Sequence, residues 1–288
     1  MKKLNPFVKF LFYAVLVVAV IFAVYPIWFM FLASIRPGQS LVSLDLAGMF
    51  WPTEVTWSNY QAMLFGTPIP GSNPYDFWRW VYNSLKVAGL TTIATLFIST
   101  SAAFAVSRFQ FRGREMLLIF FLAIQAFPGI LSLIPIAQLL TAMGLFGTHL
   151  GLILAYSAGA LVFNTWNLKG YFDTIPVELE EAAMIDGAGP IQSFIRIVLP
   201  LSTPALAVTA WFGFLGGFSE FVLASILLAG KPGQDTLPVA LWKLSGSQSV
   251  PWGQFAAGAL LISIPLLIIF FLTQRFLVSG LTIGGVKG

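Results

Sequence analysis

The sequence predicts an all-α membrane protein of six transmembrane helices, with both termini in the cytoplasm. Of its 288 residues, 58% are hydrophobic and only 9% are charged, and the mean hydropathy is +0.87. A soluble globular domain carries about 25% charged residues, so this chain has too few charges to solvate a surface and is expected in lipid. Because it has no cysteine, disulfides, thiol nucleophiles and cysteine-based metal sites are excluded.

Six segments are long and apolar enough to cross a bilayer, which requires about 20 residues of helix. They cover residues 10–32, 87–106, 117–140, 150–168, 205–229 and 255–276. Lipid offers no hydrogen-bond partners, so the backbone groups must pair within each segment, as they do in a helix. The first segment is longer than the core of a signal peptide, about 7–15 residues, which favours an uncleaved span.

Basic residues are distributed unequally between the two sides of these spans. Ten lie on the side of the N-terminus and four on the other, with Lys86 at a membrane boundary omitted. The first set comprises Lys2, Lys3, Lys9, Arg108, Arg112, Arg114, Lys169, Arg196, Arg275 and Lys287. The second set comprises Arg36, Arg79, Lys231 and Lys243. Cytoplasmic loops are enriched in Lys and Arg, so both termini are predicted to be cytoplasmic, and the net charge of +4 does not indicate nucleic acid.

The segment between the fourth and fifth predicted spans is unusually polar, with five of the eleven acidic residues between positions 173 and 186. Pro176 suits the first turn of a short helix, and Gly187 suits its end. Pro190 can begin a second helix, whose apolar residues are spaced to form one buried stripe. That stripe comprises Ile191, Phe194, Ile195 and Val198. Short helices are not stable alone, so these pack either on their own bundle or on a partner protein, and the residues leave both options open.

Within this loop, Glu181-Ala182-Ala183 is followed by Gly187 and, after nine further residues, by Ile197-Val198-Leu199-Pro200. This spacing resembles the EAA motif of the permease subunits of binding-protein-dependent ABC importers. In that family the loop is a coupling helix that sits in a cleft of a separate ATPase subunit. The resemblance implies a coupling role for Glu181, Ala182, Ala183, Gly187, Ile197, Leu199 and Pro200.

Other parts of the chain resemble the sugar branch of this family. They are Asn83-Ser84-Leu85 before the second span, Glu220-Phe221 in the fifth, and the tail at 280–288. The tail is similar to that of the smaller maltose/maltodextrin permease subunit, in which it reaches the interface of the ATPase pair. The resemblance therefore implies that Gly284, Gly285 and Lys287 contact the ATPase.

The resemblance also implies an ABC importer permease fold, an organisation of the chain and a set of partners. Residues 1–79 would hold the first transmembrane helix and an external segment, residues 80–276 the core permease domain with the EAA loop at 176–200, and residues 277–288 a cytoplasmic tail. The partners would be a second homologous permease, two ATPase subunits, an extracellular or periplasmic sugar-binding protein and the lipid of a bacterial inner membrane. ATP and Mg would bind to the ATPase, and transport would proceed by alternating access.

No catalytic, nucleotide or metal site is predicted in this chain, which is expected to be a transport subunit rather than an enzyme. Its only Gly-Lys pair, Gly230-Lys231, is followed by proline and lacks the first glycine of a P-loop. His149 is the only histidine and cannot build a histidine-based zinc site alone. Neither H-E-x-x-H nor G-x-S-x-G occurs.

Several polar and small residues inside the predicted spans have no unique interpretation. Glu220 lies within the fifth span, where a charge costs at least about 2.5–3.5 kcal/mol. It would face a watery translocation path, a polar group on another helix, or the second permease. Gln125, Gln138, Asn164 and Asn167 are equally ambiguous. Gly213 and Gly217 form a G-x-x-x-G, which is either a subunit contact or a chance match among 26 glycines.

The sequence leaves three classes of function open. The first is the importer subunit, for which maltose or maltodextrin is the favoured substrate and trehalose, other oligosaccharides or glycerol-phosphate are rivals. The second is a secondary transporter driven by an ion gradient, which would be expected to use intramembrane acids, of which Glu220 is the only one. The third is a non-transporting membrane scaffold, which gives no reason for the spacing of residues 181–200.

Overall fold

The computed structural model describes the backbone of residues 5–38, 50–66, 76–246 and 250–284, with side chains described as far as Gln274. All regular secondary structure in these ranges is helical. The helices are α1 Pro6–Ile35, α2 Ser58–Phe65, α3 Phe77–Arg108, α4 Arg114–Ala126, α5 Leu133–Ala142, α6 His149–Phe172, α7 Glu178–Ile185, α8 Pro190–Leu201, α9 Thr203–Ser219, α10 Val222–Leu227, α11 Leu237–Ser245 and α12 Trp252–Gly284. Short 3₁₀ turns occupy Gly129–Ser132 and Pro232–Gln234. The prediction of an all-α chain is thus confirmed for the described residues.

Between three and five of the described elements are long and apolar enough to cross a membrane. Three are single helices, α1, α3 and the Trp252–Gln274 part of α12. Two more are bent pairs of helices, α4 with α5 and α8 with α9, and each pair counts as one span only if its two helices are taken together. The fourth predicted span, 150–168, lies within the 24-residue helix α6, but polar residues in its second half keep α6 out of that set. The number of six spans and the sides of the two termini therefore stay predictions.

The third predicted span is broken rather than continuous. Helices α4 and α5 are separated by the 3₁₀ turn and meet at an angle of 91°. Pro128 lies at the break, and the residue before it, Phe127, is extended with ψ of 129°. Proline lacks a backbone donor and pushes the preceding residue out of the helical region, which explains why the helix ends there.

Contacts divide the chain into two compact units, Met1–Trp78 with Ala240–Pro265 and Arg79–Val239 with Leu266–Gly288. In the first unit, most side chains of α1 as far as Trp28 are exposed, as expected for a helix surrounded by lipid. Its last turn is buried at Leu32–Ile35, where the Asn59 amide donates hydrogen bonds to the carbonyl oxygens of Ser34 (2.9 Å) and Arg36 (3.3 Å). The predicted domains 1–79, 80–276 and 277–288 remain predictions.

The second unit contains two apolar clusters. One gathers around Val87, Leu152 and Leu227, and the other around Phe104, Phe172 and Val198. The second cluster lies at the end of α3 and α6, where the EAA loop leaves the bundle. This packing gives the loop a fixed base.

In the same unit, the connection before α11 is fastened to the start of α3. The buried Asn83 amide donates hydrogen bonds to the carbonyl oxygens of Gly233 (3.2 Å) and Asp235 (2.9 Å). The neighbouring Ser84 hydroxyl accepts one from the Leu237 backbone N–H (2.8 Å). The Asn83-Ser84 pair thus holds a loop that is distant in sequence.

Candidate coupling site

The first helix of the EAA loop is α7, Glu178–Ile185. Pro176 was expected in its first turn but lies just before it, and Val177 is the N-cap, whose carbonyl accepts hydrogen bonds from the Glu180 and Glu181 N–H groups. Three glutamates occupy the first turn, where the positive end of the helix dipole favours acidic residues. Glu178 and Glu181 are exposed and Glu180 is buried.

Gly187 ends α7 with a backbone conformation that glycine adopts more easily than any other residue. Its φ is +89°, in the left-handed region. The N–H of Ala188 donates to the carbonyl of Ala183 (2.9 Å), and that of Gly187 donates to the carbonyl of Met184 (3.1 Å). This arrangement satisfies carbonyls that would otherwise be orphaned at the helix end. The positive φ predicted for Gly187 is present in the structure.

The second helix, α8, begins at Pro190 as predicted, but its apolar stripe is not buried as a whole. Val198 is fully buried, and the Phe194 ring packs on Phe104 with centroids 4.4 Å apart. Ile191 and Ile195 are exposed by 73% and 55%. A π-helical turn occupies Phe194–Val198, so this part of α8 does not follow the α-helical spacing assumed in the prediction.

An ion pair fastens α7 to the membrane helices. The Arg108 Nε, in the last turn of α3, lies 2.5 Å from Oε1 of Glu180, and both side chains are less than 10% exposed (9% and 4%). The same guanidinium donates hydrogen bonds to the carbonyl oxygens of Phe172 (3.0 Å) and Ile175 (3.1 Å). Arg108 therefore ties together the end of α3, the end of α6 and α7.

A second pair extends this network at the end of α6. The carboxylate of Asp173 accepts hydrogen bonds from the Lys169 ammonium (2.6 Å) and the Ser107 hydroxyl (2.6 Å), and Ser107 in turn accepts one from Arg108 (2.9 Å). Burial alone would raise the pKa of Asp173, but the hydrogen bonds from Lys169 and Ser107 and the nearby positive charges outweigh it. The pKa of Asp173 consequently lies below its ordinary value.

The beginning, middle and end of the EAA motif meet around one cavity. It measures about 340 Å³, and Ala183, Gly187 and Ile197 all line it. The other lining residues are Asp186, Ala188, Gln192, Ser193 and Arg196. The long spacing between Gly187 and Ile197 is explained by the chain reversal, which returns α8 alongside α7.

The remaining predicted coupling residues lie outside this cavity. Glu181, Ala182 and Pro200 are exposed, and Leu199 is partly buried. Of the three tail residues predicted to contact the ATPase, only Gly284 has a described backbone, as the last residue of α12. Gly285 and Lys287 lie outside the described residues.

The loop also exposes large apolar side chains. Those exposed by more than 40% are Val177, Leu179, Met184, Ile185, Ile191 and Ile195, and Ile185 reaches 87%. We call this set the apolar coupling surface. A contiguous or clustered set of exposed apolar groups marks an interaction site in soluble surroundings.

Glu220 breaks the fifth predicted span, 205–229, instead of lying inside one continuous helix. It follows the last residue of α9 with extended backbone, ψ 132°. Its carboxylate accepts hydrogen bonds from the N–H groups of Leu223 (2.8 Å) and Ala224 (3.2 Å) at the start of α10, and from the Tyr156 hydroxyl of α6. The structure thus gives this intramembrane charge a polar partner on another helix of the same chain.

Gly213 and Gly217 face α3 of the same chain. A β-carbon built on Gly217 would lie 3.3 Å from the Ala88 Cα, and one on Gly213 would lie 3.8 Å from the Thr92 hydroxyl oxygen. The G-x-x-x-G pattern therefore serves helix packing within the chain. As for metals, no group of three or more ligating side chains occurs among the described residues.

Reasoning from the sequence missed two groups of this site, Arg108 and Tyr156. The position of Arg108 could have pointed to it, because it is the first basic residue after the second apolar run. Its acidic partner, Glu180, lies next to the EAA motif. Nothing in the sequence connects Tyr156 with Glu220, because 64 positions separate them.

Residues 95–283 match the family described as "Binding-protein-dependent transport system inner membrane component". The chain is 39% identical over 288 residues to a galactooligosaccharides transport system permease protein of Bacillus subtilis, which covers 99% of this chain and 98% of that protein. It is 38% identical over 275 residues to a maltose/maltodextrin transport system permease protein of Photorhabdus laumondii, covering 92% and 90% respectively.

Among solved structures, the fold is similar to a bacterial ABC transporter involved in the import of the acidic polysaccharide alginate. The TM-score is 0.79 at 21% identity, and the similarity covers 96% of this chain and 99% of that one. The resemblance stated from the EAA motif is confirmed by these matches, as is the prediction of a transport component rather than an enzyme. The chain belongs to the family of inner membrane components of binding-protein-dependent transport systems.

Proposed function

We propose that this chain is a membrane-spanning subunit of an ATP-driven oligosaccharide importer of a bacterial inner membrane. Its EAA loop at 176–200 would receive movement from a separate ATPase subunit. The observation that carries the proposal is the construction of this loop, in which the motif residues surround one cavity and the buried Arg108–Glu180 pair holds α7 against α3 and α6. A loop of this kind moves as a unit with the helices to which it is fastened.

The surface that the ATPase would contact is the apolar coupling surface. Its side chains are as exposed as those of the lipid-facing helix α1, yet they belong to short helices flanked by acidic residues. Short helices gain most of their stability from packing rather than from propensity. A cleft in an ATPase subunit would bury these groups, and the exposed Glu181 at the edge of α7 would face a basic group of that subunit.

The wider assembly follows from the family. A binding-protein-dependent system requires a solute-binding protein, and this chain lacks a P-loop, so ATP and Mg would bind to two copies of the ATPase. A second homologous permease would complete the translocation path. We further propose six spans with both termini cytoplasmic, and a contact between the tail, at Gly284, Gly285 and Lys287, and the ATPase.

The substrate class that we propose is a neutral oligosaccharide. Relatives that share most of the length of the chain are named for galactooligosaccharides and for maltose and maltodextrin. The resemblance of the C-terminal tail favours maltose or maltodextrin as the substrate. The sequence identity over the whole chain supports galactooligosaccharides equally. Trehalose and glycerol-phosphate are alternative substrates for the same kind of importer.

The ion-gradient transporter receives no support from the geometry of its one candidate acid. Glu220 already accepts three hydrogen bonds, two of them from the backbone at the start of α10. These bonds engage the carboxylate in the packing of α6 and α10, a structural role that requires no ion gradient.

Crosslinking tests the proposed coupling contact directly. The chain has no cysteine, so Ile185→Cys supplies a unique thiol on the most exposed residue of the apolar coupling surface. Labelled with a benzophenone maleimide and irradiated in membranes, it should form an adduct with the ATPase subunit. Phe65→Cys, which is 76% exposed on the predicted outer side, is the control and should form none. An adduct from Phe65→Cys with none from Ile185→Cys would refute the proposed topology and the coupling role together.

A further inference from the structure

A second cavity, mainly apolar but with four polar residues in its lining, lies in the unit that contains Arg79–Val239, beside the break at Glu220. It measures about 300 Å³ and is bounded by α3, α6 and α9. This volume is at the lower end of the range for small-molecule sites, about 300–1,000 Å³. Its polar lining comes from Thr91, Tyr156, Asn164 and Glu220. Polar groups that converge in this way from three helices are unusual in a membrane domain and point to a ligand.

One of these polar groups, the Thr91 hydroxyl, is buried without a partner in the fold. Thr91 is 3% exposed, and its hydroxyl has no hydrogen-bond partner among the described residues. Asn164 is 6% exposed. Native proteins leave few buried hydroxyls unpaired, so the position of Thr91 on a cavity favours a bound molecule that pairs with it.

Glu220 retains capacity for one more donor. An ionised carboxylate offers about four lone-pair sites. Two backbone N–H groups and the Tyr156 hydroxyl occupy three of them. A hydroxyl group of a ligand in the cavity could donate to the fourth without disturbing the N-terminus of α10.

The rest of the cavity wall is apolar and open. The Phe163 and Phe212 rings line it, both more than half exposed. Gly216 lies between them on α9, and a β-carbon built there would meet nothing within 4 Å. A site with flat apolar rings and several hydroxyl-binding groups matches a pyranose, which has C–H groups on its faces and hydroxyls around its rim.

We propose that this cavity binds one pyranose ring of the transported oligosaccharide, with Thr91, Asn164 and Glu220 as partners of its hydroxyl groups. A larger cavity of about 910 Å³ also includes Tyr156 and Glu220 in its lining and leaves room for further rings. This inference rests on the proposed function, since it identifies the contacts that this subunit makes with the transported sugar.

The test compares single variants in proteoliposomes that contain the assembled importer, with maltotriose and β-1,4-galactotriose as probes. The uptake rate is measured at saturating binding protein, because the KM mainly reports the affinity of the binding protein. Thr91→Val removes the hydroxyl at nearly constant shape and should lower the rate about tenfold, the effect of one lost hydrogen bond of about 1.4 kcal/mol. Gly216→Leu fills the cavity and should abolish uptake.

Two matched variants control for folding. Thr95→Val changes another buried threonine with an unpaired hydroxyl, one turn along α3 and outside the cavity lining. Gly89→Leu adds the same side chain at another glycine with open space around it. Both should transport at the wild-type rate. Wild-type uptake by Thr91→Val and Gly216→Leu would overturn the inference, whereas ATP-independent uptake by the wild-type complex would overturn the proposed function instead.

Thiol protection provides a measurement that does not depend on turnover. Gly216→Cys places the only thiol of the chain in the cavity, and its labelling by a methanethiosulfonate reagent is followed in the purified complex. The transported trisaccharide should slow labelling at position 216 and leave Gly89→Cys unaffected. Equal labelling rates at position 216 with and without either sugar would contradict the proposal.

Discussion

The guanidinium of Arg108 and the carboxylate of Glu180 form an ion pair of 2.5 Å that joins the end of α3 to α7. Both partners are almost fully buried, and the remaining Arg108 donors bind carbonyl oxygens at Phe172 and Ile175. A buried pair constrains geometry more than it adds stability, because its desolvation offsets most of its attraction. This pair therefore fixes the position of α7 against the ends of α3 and α6.

Removal of one partner of this pair should loosen the coupling helix. Glu180→Gln and Arg108→Met each leave the other charge buried and unpaired, at a cost of about 3–5 kcal/mol. We expect more ATP hydrolysed per sugar transported, and faster proteolysis within 176–200. The double variant Arg108→Met/Glu180→Leu should be less affected than either single one.

Glu178→Gln is the control for this prediction, since Glu178 is exposed in the same turn. Glu178→Gln should hydrolyse as much ATP per sugar transported as the wild type does. If Glu180→Gln transported with the wild-type ratio of ATP to sugar, the ion pair would have no part in force transmission.

Gly187 should tolerate no side chain, because its φ of +89° is strained for L-residues by roughly 1–2 kcal/mol. Gly187→Trp is expected to insert into the membrane but to uncouple uptake from ATP hydrolysis, and Gly187→Ala should have a smaller effect in the same direction. Gly189→Ala is the control, since Gly189 has φ of −79° and open space around it. Wild-type uptake by Gly187→Trp would rule out the coupling loop as a lever.

The Lys169–Asp173 ion pair should make the stability of the folded chain fall as the pH becomes acidic. The folded pKa of Asp173 lies below its unfolded value, so its contribution is complete above the unfolded pKa and is lost as the pH falls through the folded value. Asp173→Asn should therefore lower the melting temperature of the purified chain at neutral pH. The difference from the wild type should shrink below about pH 4, the ordinary range of this carboxyl. A difference that stayed constant down to acidic pH would contradict the role of the charged carboxylate.

The loop before α11 should be released when its hydrogen-bond donor is removed. Asn83→Ala leaves the carbonyl oxygens of Gly233 and Asp235 without the amide that binds them, a cost of about 1–3 kcal/mol. We expect faster cleavage by an added protease between residues 229 and 237. Asn167→Ala, which loses one exposed amide, should be cleaved as slowly as the wild type, and equal rates for both variants would show that Asn83 does not hold the loop.

The sequence by itself determined the class of this protein and the position of its EAA loop. The low content of charge and the long apolar runs require lipid and helices, because no other structure satisfies backbone groups there. Pro190 and Gly187 acted through local backbone geometry, which depends on few neighbours, and both were predicted at the correct places. The EAA spacing was readable because its residues lie within twenty positions of each other.

Only the tertiary structure decided what depends on distant residues. Nothing in the spacing of α8 indicates its π-helical turn, or that Ile191 and Ile195, which were expected to be buried, are exposed. Apolar length alone cannot reveal that Glu220 interrupts a helix, and only the fold brings Tyr156 to its carboxylate. Local rules act over about one turn of helix, whereas the Arg108–Glu180 pair spans 72 positions and exists only once the bundle has formed.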